Sequence, residues 1–493
     1  MPEELDAHRG CDAPELEVPH ADLALELEVS PPPAEAPLRE ENPRAAPHAG
    51  AAARSSWHGA RDFWDWLLYA LIFAGFPALL YFTLHKNALY EPIWIEVEAH
   101  QWMKLIVRPA LLWTFMGSLL LAFRTIFWLR YRPFVSATFA AAPAMTVIIP
   151  AYNEGPMVLK AIESAANAGY PRERLEILVV DDGSTDDTWL HIKEAARRYP
   201  DVVSPVRLAA NGGKRKALAL GFRKASGEIV VTLDSDSVIE PNALLAIAGP
   251  FREQRVGAVA GKVLVYNRRE GLLPRMLHVR FVLAFDLLRA VESSYGNVFC
   301  CPGALTAYRT CIVRSVLDRW LAQTFLGAPC TIGEDRAMTN LILESGHDTV
   351  YQRSAVVHTV VPPGYTKLCK MLIRWDRSYV REELYFLTVA WKRPLRTRIL
   401  ALCDRLITNL RYPIHYASLF LLIFLAIHHP WMVPRFLLAV GAMSLYNMAY
   451  YLRSERSLDI CYGVFYSYFE LAGLFWIFPF SAATVRSRSW LTR

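Results

Sequence analysis

EILVVDDGSTDDT, residues 176–188, decides how this chain is read. The apolar run Ile177 to Val180 is the right length for a buried strand and too short for a helix. Asp181, Asp182 and Gly183 follow at once, and packing gives no reason to end a buried strand on two carboxylates. Ser184, Thr185 and the acids after them would also suit the start of a helix, and the two roles are compatible.

The same grammar repeats on either side. MTVIIP (145–150) runs into AYNEG (151–155), EIVVTL (228–233) runs into Asp234-Ser235-Asp236, and GAVAG (257–261) is a further short apolar run. Helix-like stretches such as Met157 to Ala168 lie between them. This alternation over about residues 143–345 predicts a mostly parallel α/β sheet with helices on both faces. Ligands of such sheets sit beyond the C-terminal strand ends, where the acids fall. Asp234 and Asp236 could grip a divalent ion whose shell is completed by phosphate oxygens; a helix N-cap is the rival role for Asp236, given Pro241.

Other short motifs carry compatible chemistry. Tyr152 can lie against a flat base, and Glu154 can accept hydrogen bonds from base or ribose. In NGGKRKA (211–217) two glycines permit close backbone approach to a ligand, and Lys214 and Lys216 could neutralise a diphosphate; a solvated basic turn is the alternative. Asp335, in Gly333-Glu334-Asp335-Arg336, could serve as a general base, or these acids could simply favour a helix N-terminus. Arg374-Trp375 offers a fork for phosphate and a face for a sugar ring, though aromatic-basic pairs also anchor proteins in membranes.

The 493 residues suffice for two or three domains, and 53% hydrophobic against 20% charged residues favours a membrane protein. The net charge of +6 is small, and the basic residues crowd around apolar segments, where they meet a lipid bilayer; no nucleic acid partner is expected. Eight cysteines show no zinc or disulfide spacing. Residues 1–57 read as a disordered tail. Residues 58–132 read as a transmembrane hairpin, with runs at Phe63–Leu84 and about Leu105–Leu129. The first run lies behind a long polar stretch, so any export signal is expected to be an anchor that stays. Glu91, Glu96 and Glu98 mark the outer loop, while Arg124, Arg130 and Arg132 place the chain beyond them in the cytoplasm. Residues 133–364 are the expected catalytic domain. Residues 365–411 read as interfacial helices, and 412–493 as a C-terminal membrane region whose last run, with Glu470, Gly473 and Pro479, is expected to be re-entrant or a hairpin.

In this order the motifs resemble the membrane-integrated synthases of glycosyltransferase family 2, within them the hyaluronan synthase and chitin-oligosaccharide synthase group. The resemblance spans about residues 140–493 and is dense in SSYGNVFCCPGALTAYR (293–309), TFLGAPCTIGEDRAMTNLILESGHDTVYQ (324–352) and RWDRSYVREE (374–383). The terminal WLTR (490–493) is similar to the Trp-Gly-Thr-Arg ending of hyaluronan synthases.

The resemblance implies a cytoplasmic α/β domain of GT-A fold, combined with α-helical transmembrane segments that form a channel. It implies that Tyr152, Glu154 and Asp182 hold uridine and that Lys214 meets the phosphates. Asp234 and Asp236 correspond to the Asp-x-Asp pair, the second on Mg or Mn. Asp335, preceded by Glu334, corresponds to the general base, and Arg374 with Trp375 to the end of the Gln-x-x-Arg-Trp motif. Cys301, Pro302 and Gly303 fall in the acceptor loop, and Trp490 and Arg493 would close over the diphosphate. The activity implied is inverting, processive transfer from UDP-GlcNAc, with UDP-GlcA left open as an alternating donor, to a growing polysaccharide exported across the plasma (inner) membrane. Transfer of one sugar to a lipid carrier, chitin-oligosaccharide synthesis and UDP-sugar binding without turnover are the alternatives. The chain departs from the pattern at Met371 (for Gln), Leu491 (for Gly), Glu334 (for Asp) and Cys301-Pro302-Gly303 (for Ser-Gly-Pro), which bears on sugar choice and processivity.

Overall fold

The computed structural model describes residues 91–487 and, ahead of them, scattered positions between 66 and 81. The expected tail, most of the run Phe63–Leu84, and Trp490 and Arg493 lie outside the described residues.

The segment expected to be an outer loop is a helix, α1 (Glu91–Ala99), followed by the 30-residue α2 (Gln101–Arg130). Glu91 in the first turn suits the positive helix end, and Pro92 needs no intrahelical N–H bond there. Val97 and Trp94 pack with Met103, Leu421 and Met432, and His429 Nε2 lies 2.7 Å from Glu96 Oε1. Burial of one face against a later helix overrides the loop-like charge pattern.

Between residues 145 and 359 an eight-stranded sheet forms the core. Its strands are β1 (Met145–Ala151), β2 (Leu175–Asp181), β3 (Val203–Arg207), β4 (Ile229–Thr232), β5 (Ser237–Ile239), β6 (Val256–Val265), β7 (Thr306–Arg309) and β10 (Asp348–Thr359), while β8 (Thr324–Phe325) and β9 (Ala328–Pro329) form a separate hairpin. Helices α3 (Met157–Ala166), α4 (Thr188–Arg198), α5 (Lys214–Lys224), α6 (Ala243–Ala248), α7 (Leu272–Val282), α8 (Thr310–Leu321) and α9 (Glu334–Glu344) connect and cover them.

The order is β3-β2-β1-β4-β7-β6-β10-β5. β1 is buried along its whole length between parallel β2 and β4, which explains its unbroken apolar run. Pro205 is tolerated because β3 is an edge strand. The expected mostly parallel sheet is instead mixed. β7 runs antiparallel to both β4 and β6, and β5 antiparallel to β10. The difference matters for the site, because Thr306 at the start of β7 pairs with Thr232 at the end of β4. The loop entering β7 is thereby delivered to the edge where β1, β2 and β4 end.

Past the sheet come α10 (Tyr365–Ala390), α11 (Leu395–His428), α12 (Val433–Glu455), α13 (Ile460–Phe469) and α14 (Ile477–Ala483). The expected boundary at residues 411/412 falls inside α11, which continues through Pro413. At about 1.5 Å per residue its 34 residues exceed the ~30 Å hydrocarbon thickness, so one helix is long enough to cover both segments that the sequence separated. Among the described residues, Leu395–His428 and Pro430–Glu455 are long and apolar enough to cross a membrane. Phe420, Ile423 and Ile427 of α11 point outward. The last run is broken: a π-helical turn at Glu470–Leu474 precedes a 48° bend.

Gly183, straight after β2, has φ of +72°, and a Cβ there would lie 2.7 Å from the Ala210 carbonyl carbon and 2.8 Å from Asn211 N. Both contacts are backbone and cannot rotate away. Gly183→Ala is expected to cost about 1–3 kcal/mol, read as a lower thermal midpoint of the detergent-solubilised protein; an unchanged midpoint would contradict this close approach.

Candidate active site

The first side of the site is made by two loops clasped together. The helix start that Ser184 and Thr185 allowed is not used, since α4 begins only at Thr188 with Asp187 as its N-cap, and Ser184 and Thr188 serve otherwise. Their hydroxyls instead accept from the loop after β1: Asn153 N donates to Ser184 Oγ (3.0 Å), and Glu154 N and Gly155 N donate to Thr188 Oγ1 (2.8 and 2.9 Å). This fixes the backbone that carries Tyr152 and Glu154, both half-buried. Sequence reasoning missed Thr188, although it closes the quoted motif.

Asp182, 3% exposed, receives Gly212 N on one oxygen and Gly213 N on the other, each at 2.8 Å. Burial raises its pKa, and the two N–H bonds oppose the rise. Asp182 therefore holds the glycine loop in place at the start of α5. Asp181 is used differently, accepting from Ser184 N (3.0 Å) and pairing with Arg207 (3.1 Å).

Lys214, the first residue of α5, reaches into a group of carboxylates. Its Nζ lies 2.5 Å from Asp234 Oδ1 and 3.2 Å from Glu334 Oε1. Burial alone would lower its pKa, but Asp234 and Glu334 more than offset this and hold it above the ordinary lysine value. Gly303, in the loop entering β7, packs on the same pair. Asp236 is no helix cap: β5 follows at once, and Asn242 precedes α6. Its side chain accepts from Ser237 Oγ (3.2 Å) and Thr359 Oγ1 (3.3 Å).

Among the described residues no three His, Cys, Asp or Glu side chains form a metal cage, so an ion here needs oxygens from a ligand. The Asp pair nonetheless suits a divalent cation. Burial, and after it the charge of Asp234, push the Asp236 carboxyl up to about 6, with Lys214 opposing. A cation between the two acids relieves both penalties.

Glu334 opens α9 after Gly333, so its helix-start role and its place in the site coexist. A Cβ on Gly333 would fall 1.8 Å from Ser378 Oγ, which fixes glycine there and presses α9 against α10. Glu334 and Asp335 are driven apart in acidity. Burial would raise Glu334, but Lys214 and Arg374 hold it below the usual value, whereas burial and the Glu334 charge raise Asp335 against the pull of Arg336. Arg374 thus acts on both Glu334 and Lys214 from α10. Trp375 beside it is 36% exposed, with its ring 6.2 Å from that of Phe281.

One expected contact needs correcting. Cys301 is 0% exposed, enclosed in the sheet core, so its side chain has no surface for a substrate. Cys300 takes the place beside Asp335, with Sγ 3.6 Å from Asp335 Oδ2. Thr339 Oγ1 ties loop to helix, donating to Asp335 O (2.8 Å) and accepting from Cys301 N (3.1 Å). The two adjacent cysteines gave no sign of which one faces inward.

With this geometry in view, a family model described as Glycosyl transferase family 2 matches residues 146–317. The chain is 36% identical over 273 residues to an N-acetylglucosaminyltransferase of Rhizobium meliloti (strain 1021), covering 54% of this chain and 64% of that protein. It is also 36% identical over 263 residues to a hyaluronan synthase of Streptococcus pyogenes, covering 52% of this chain and 61% of that one. It therefore spans less than two thirds of the length of these curated relatives. Among solved structures, the mannosyltransferase PcManGT from Pyrobaculum calidifontis in complex with GDP-Man and Mn2+ has a TM-score of 0.48 and 24% identity, covering 77% of this chain and 96% of that one.

Asp182→Ala should release the loop 211–213 and expose the basic start of α5. Limited trypsin digestion is expected to cut the variant near Lys214 and Arg215 several times faster than wild type; equal rates would show that the two N–H bonds do not hold the loop.

Proposed function

We propose, from a chain whose residues 146–317 form a glycosyl transferase family 2 domain of GT-A-like fold, that the protein transfers sugar from a UDP-sugar to a growing β-linked polysaccharide with inversion. The observation that carries this reading is the meeting of Asp234 and Glu334 on the Lys214 ammonium, at 2.5 and 3.2 Å, with Gly303 packed on it and Asp335 next in the helix. There, against burial, Lys214 and Arg374 hold Glu334 below the usual carboxylate range, while burial and the Glu334 charge raise Asp335. Paired acids with opposed shifts support a division into acid–base roles.

In this reading Tyr152 and Glu154 receive the uridine on the loop held by Ser184 and Thr188, with Asp182 securing the opposite wall. Asp335 takes the proton from an acceptor hydroxyl as that oxygen attacks the anomeric carbon of a UDP-α-sugar. The bond to the diphosphate breaks on the opposite face, which gives a β-linkage. Lys214 and Arg374 face the negative charge that builds on the departing diphosphate. Asp236, with Asp234, would hold Mg or Mn, and such an ion neutralises the diphosphate when bound. Gly303 lets the acceptor loop lie close to this cluster, and Trp375 offers a ring face for a sugar. Trp490 and Arg493 are assigned to closure over the diphosphate.

The name N-acetylglucosaminyltransferase favours UDP-GlcNAc as donor, and UDP-GlcA is the second donor to be tested. Two helices long and apolar enough to span, with a bent pair after them, support membrane integration. On the positive residues Arg124, Arg130 and Arg132 we assign the sheet domain to the cytoplasmic side of a multi-pass plasma (inner) membrane protein that exports its product.

Asp335→Asn should reduce transfer at least about 100-fold while UDP still binds. Full activity in that variant would overturn the base assignment. Because the Asp335 pKa is raised, its proton-accepting form is lost as pH falls through a value above the ordinary carboxylate range. The acidic limb of kcat/KM should therefore lie above that range; a limb at the ordinary value would contradict it. Purified protein given labelled UDP-GlcNAc, with or without UDP-GlcA and Mg or Mn, followed by hyaluronidase and chitinase, identifies the product.

A further inference from the structure

One ammonium joins parts of the site that come from distant segments. Lys214 Nζ bridges Asp234 Oδ1 at 2.5 Å and Glu334 Oε1 at 3.2 Å. A Cβ on Gly303 would come 3.0 Å from the same nitrogen and 3.2 Å from Asp234 Oδ1. The donor-side acids, the acceptor loop and the base-bearing helix therefore meet at a single positive charge.

That charge occupies one member of the acid pair assigned to a divalent ion. An ammonium and a divalent cation that share a carboxylate repel each other strongly, even at an effective dielectric of about 20. A free ion arriving at Asp234 and Asp236 must overcome this repulsion or drive Lys214 away from two carboxylates at once. A nucleoside diphosphate changes the balance, since its oxygens give the ammonium a new partner and supply the ligands that the protein lacks.

The local build permits such a move. Lys214 and Asp234 side chains are 20% and 29% exposed, so a ligand can reach both. The backbone under Lys214 is fixed by the two N–H bonds from Gly212 and Gly213 to Asp182. Its flexible four-carbon stem can therefore swing without disturbing α5.

Resting on the family 2 reading of the site, we propose that Lys214 is a stand-in cation. In the donor-free protein its ammonium fills the space between Asp234 and Glu334, excludes a free divalent ion, and transfers to the diphosphate when metal and nucleotide arrive together. The site then admits metal as a nucleotide complex and rejects the bare ion.

The test is Mn2+ binding to the full-length protein in nanodiscs, followed by electron paramagnetic resonance and calorimetry, first without nucleotide and then with UDP. Without nucleotide, Lys214→Met should bind Mn2+ about tenfold more tightly than wild type, and Lys214→Arg should behave like wild type. With UDP the order reverses, and Lys214→Met should bind UDP and Mn2+ about tenfold more weakly. An unchanged thermal midpoint for Lys214→Met separates such a gain of affinity from binding to carboxylates exposed by misfolding. If wild type binds UDP with Mn2+ but Lys214→Met binds bare Mn2+ no more tightly, the stand-in role is overturned and the family reading stands. If wild type binds no UDP with or without Mn2+, the family reading fails, and this proposal with it.

Discussion

Negative charge collected at one edge of the sheet is the constraint on which the rest of the structure depends. Asp182, Asp234, Asp236, Glu334 and Asp335 gather there, and each is tolerable only because a specific group faces it. For Asp182 these are two glycine N–H groups. For Asp234 it is Lys214, and for Glu334 it is Lys214 with Arg374. For Asp236 they are the hydroxyls of Ser237 and Thr359. For Asp335 they are the Arg336 N–H at 2.8 Å and a thiol. Stripping one partner from a buried pair leaves an uncompensated charge that costs about 3–5 kcal/mol, so cluster and fold are specified together.

The architecture supplies these partners by topology. Parallel β1 and β2 end together, with Ala151 opposite Asp181, and β4 ends beside β1 with Thr232 opposite Ile148. Antiparallel β7 brings the loop of Cys300 to Gly303 to the same edge, and the end of β10 brings Thr359. The helix carrying Arg374 and Trp375 is fastened at two points to the bent apolar pair: Tyr365 Oη donates to Gly473 O at 2.6 Å, and Arg377 Nε to Thr484 Oγ1 at 3.1 Å. The sheet domain is moored from its other side as well, since Lys262 of β6 pairs with Glu455 at the end of α12 at 3.0 Å. The helix that carries Arg374 and Trp375 is thereby tied directly to the apolar helices.

Much of this was legible in the sequence, for physical reasons that differ between elements. β1, β2 and β4 are buried on both faces, so each is written as a continuous apolar run, and the acids after them mark the strand ends. β10 was not legible, because a register irregularity between Gln352 and Val356 breaks its alternation. β7 was hidden for a related reason: four residues are too few to show a period, and strand direction leaves no trace in composition. α1 was misread because its acids match the pattern of an outer loop, while the packing that makes it a helix comes from residues more than three hundred positions later. In the site, charged groups were identified by type and spacing. The hydroxyls of Ser184 and Thr188 and the inward turn of Cys301 depend on loop geometry that spacing does not encode.

Convergence of these segments around one donor site is tested most directly by a cryo-electron microscopy map of the protein in lipid nanodiscs with UDP and Mn2+. The diphosphate is predicted within hydrogen-bond reach of Lys214 and Arg374, with an ion at Asp236 and Lys214 withdrawn from Asp234. A map with UDP bound elsewhere, or with the ion at Asp236 and Lys214 still on Asp234, would contradict it.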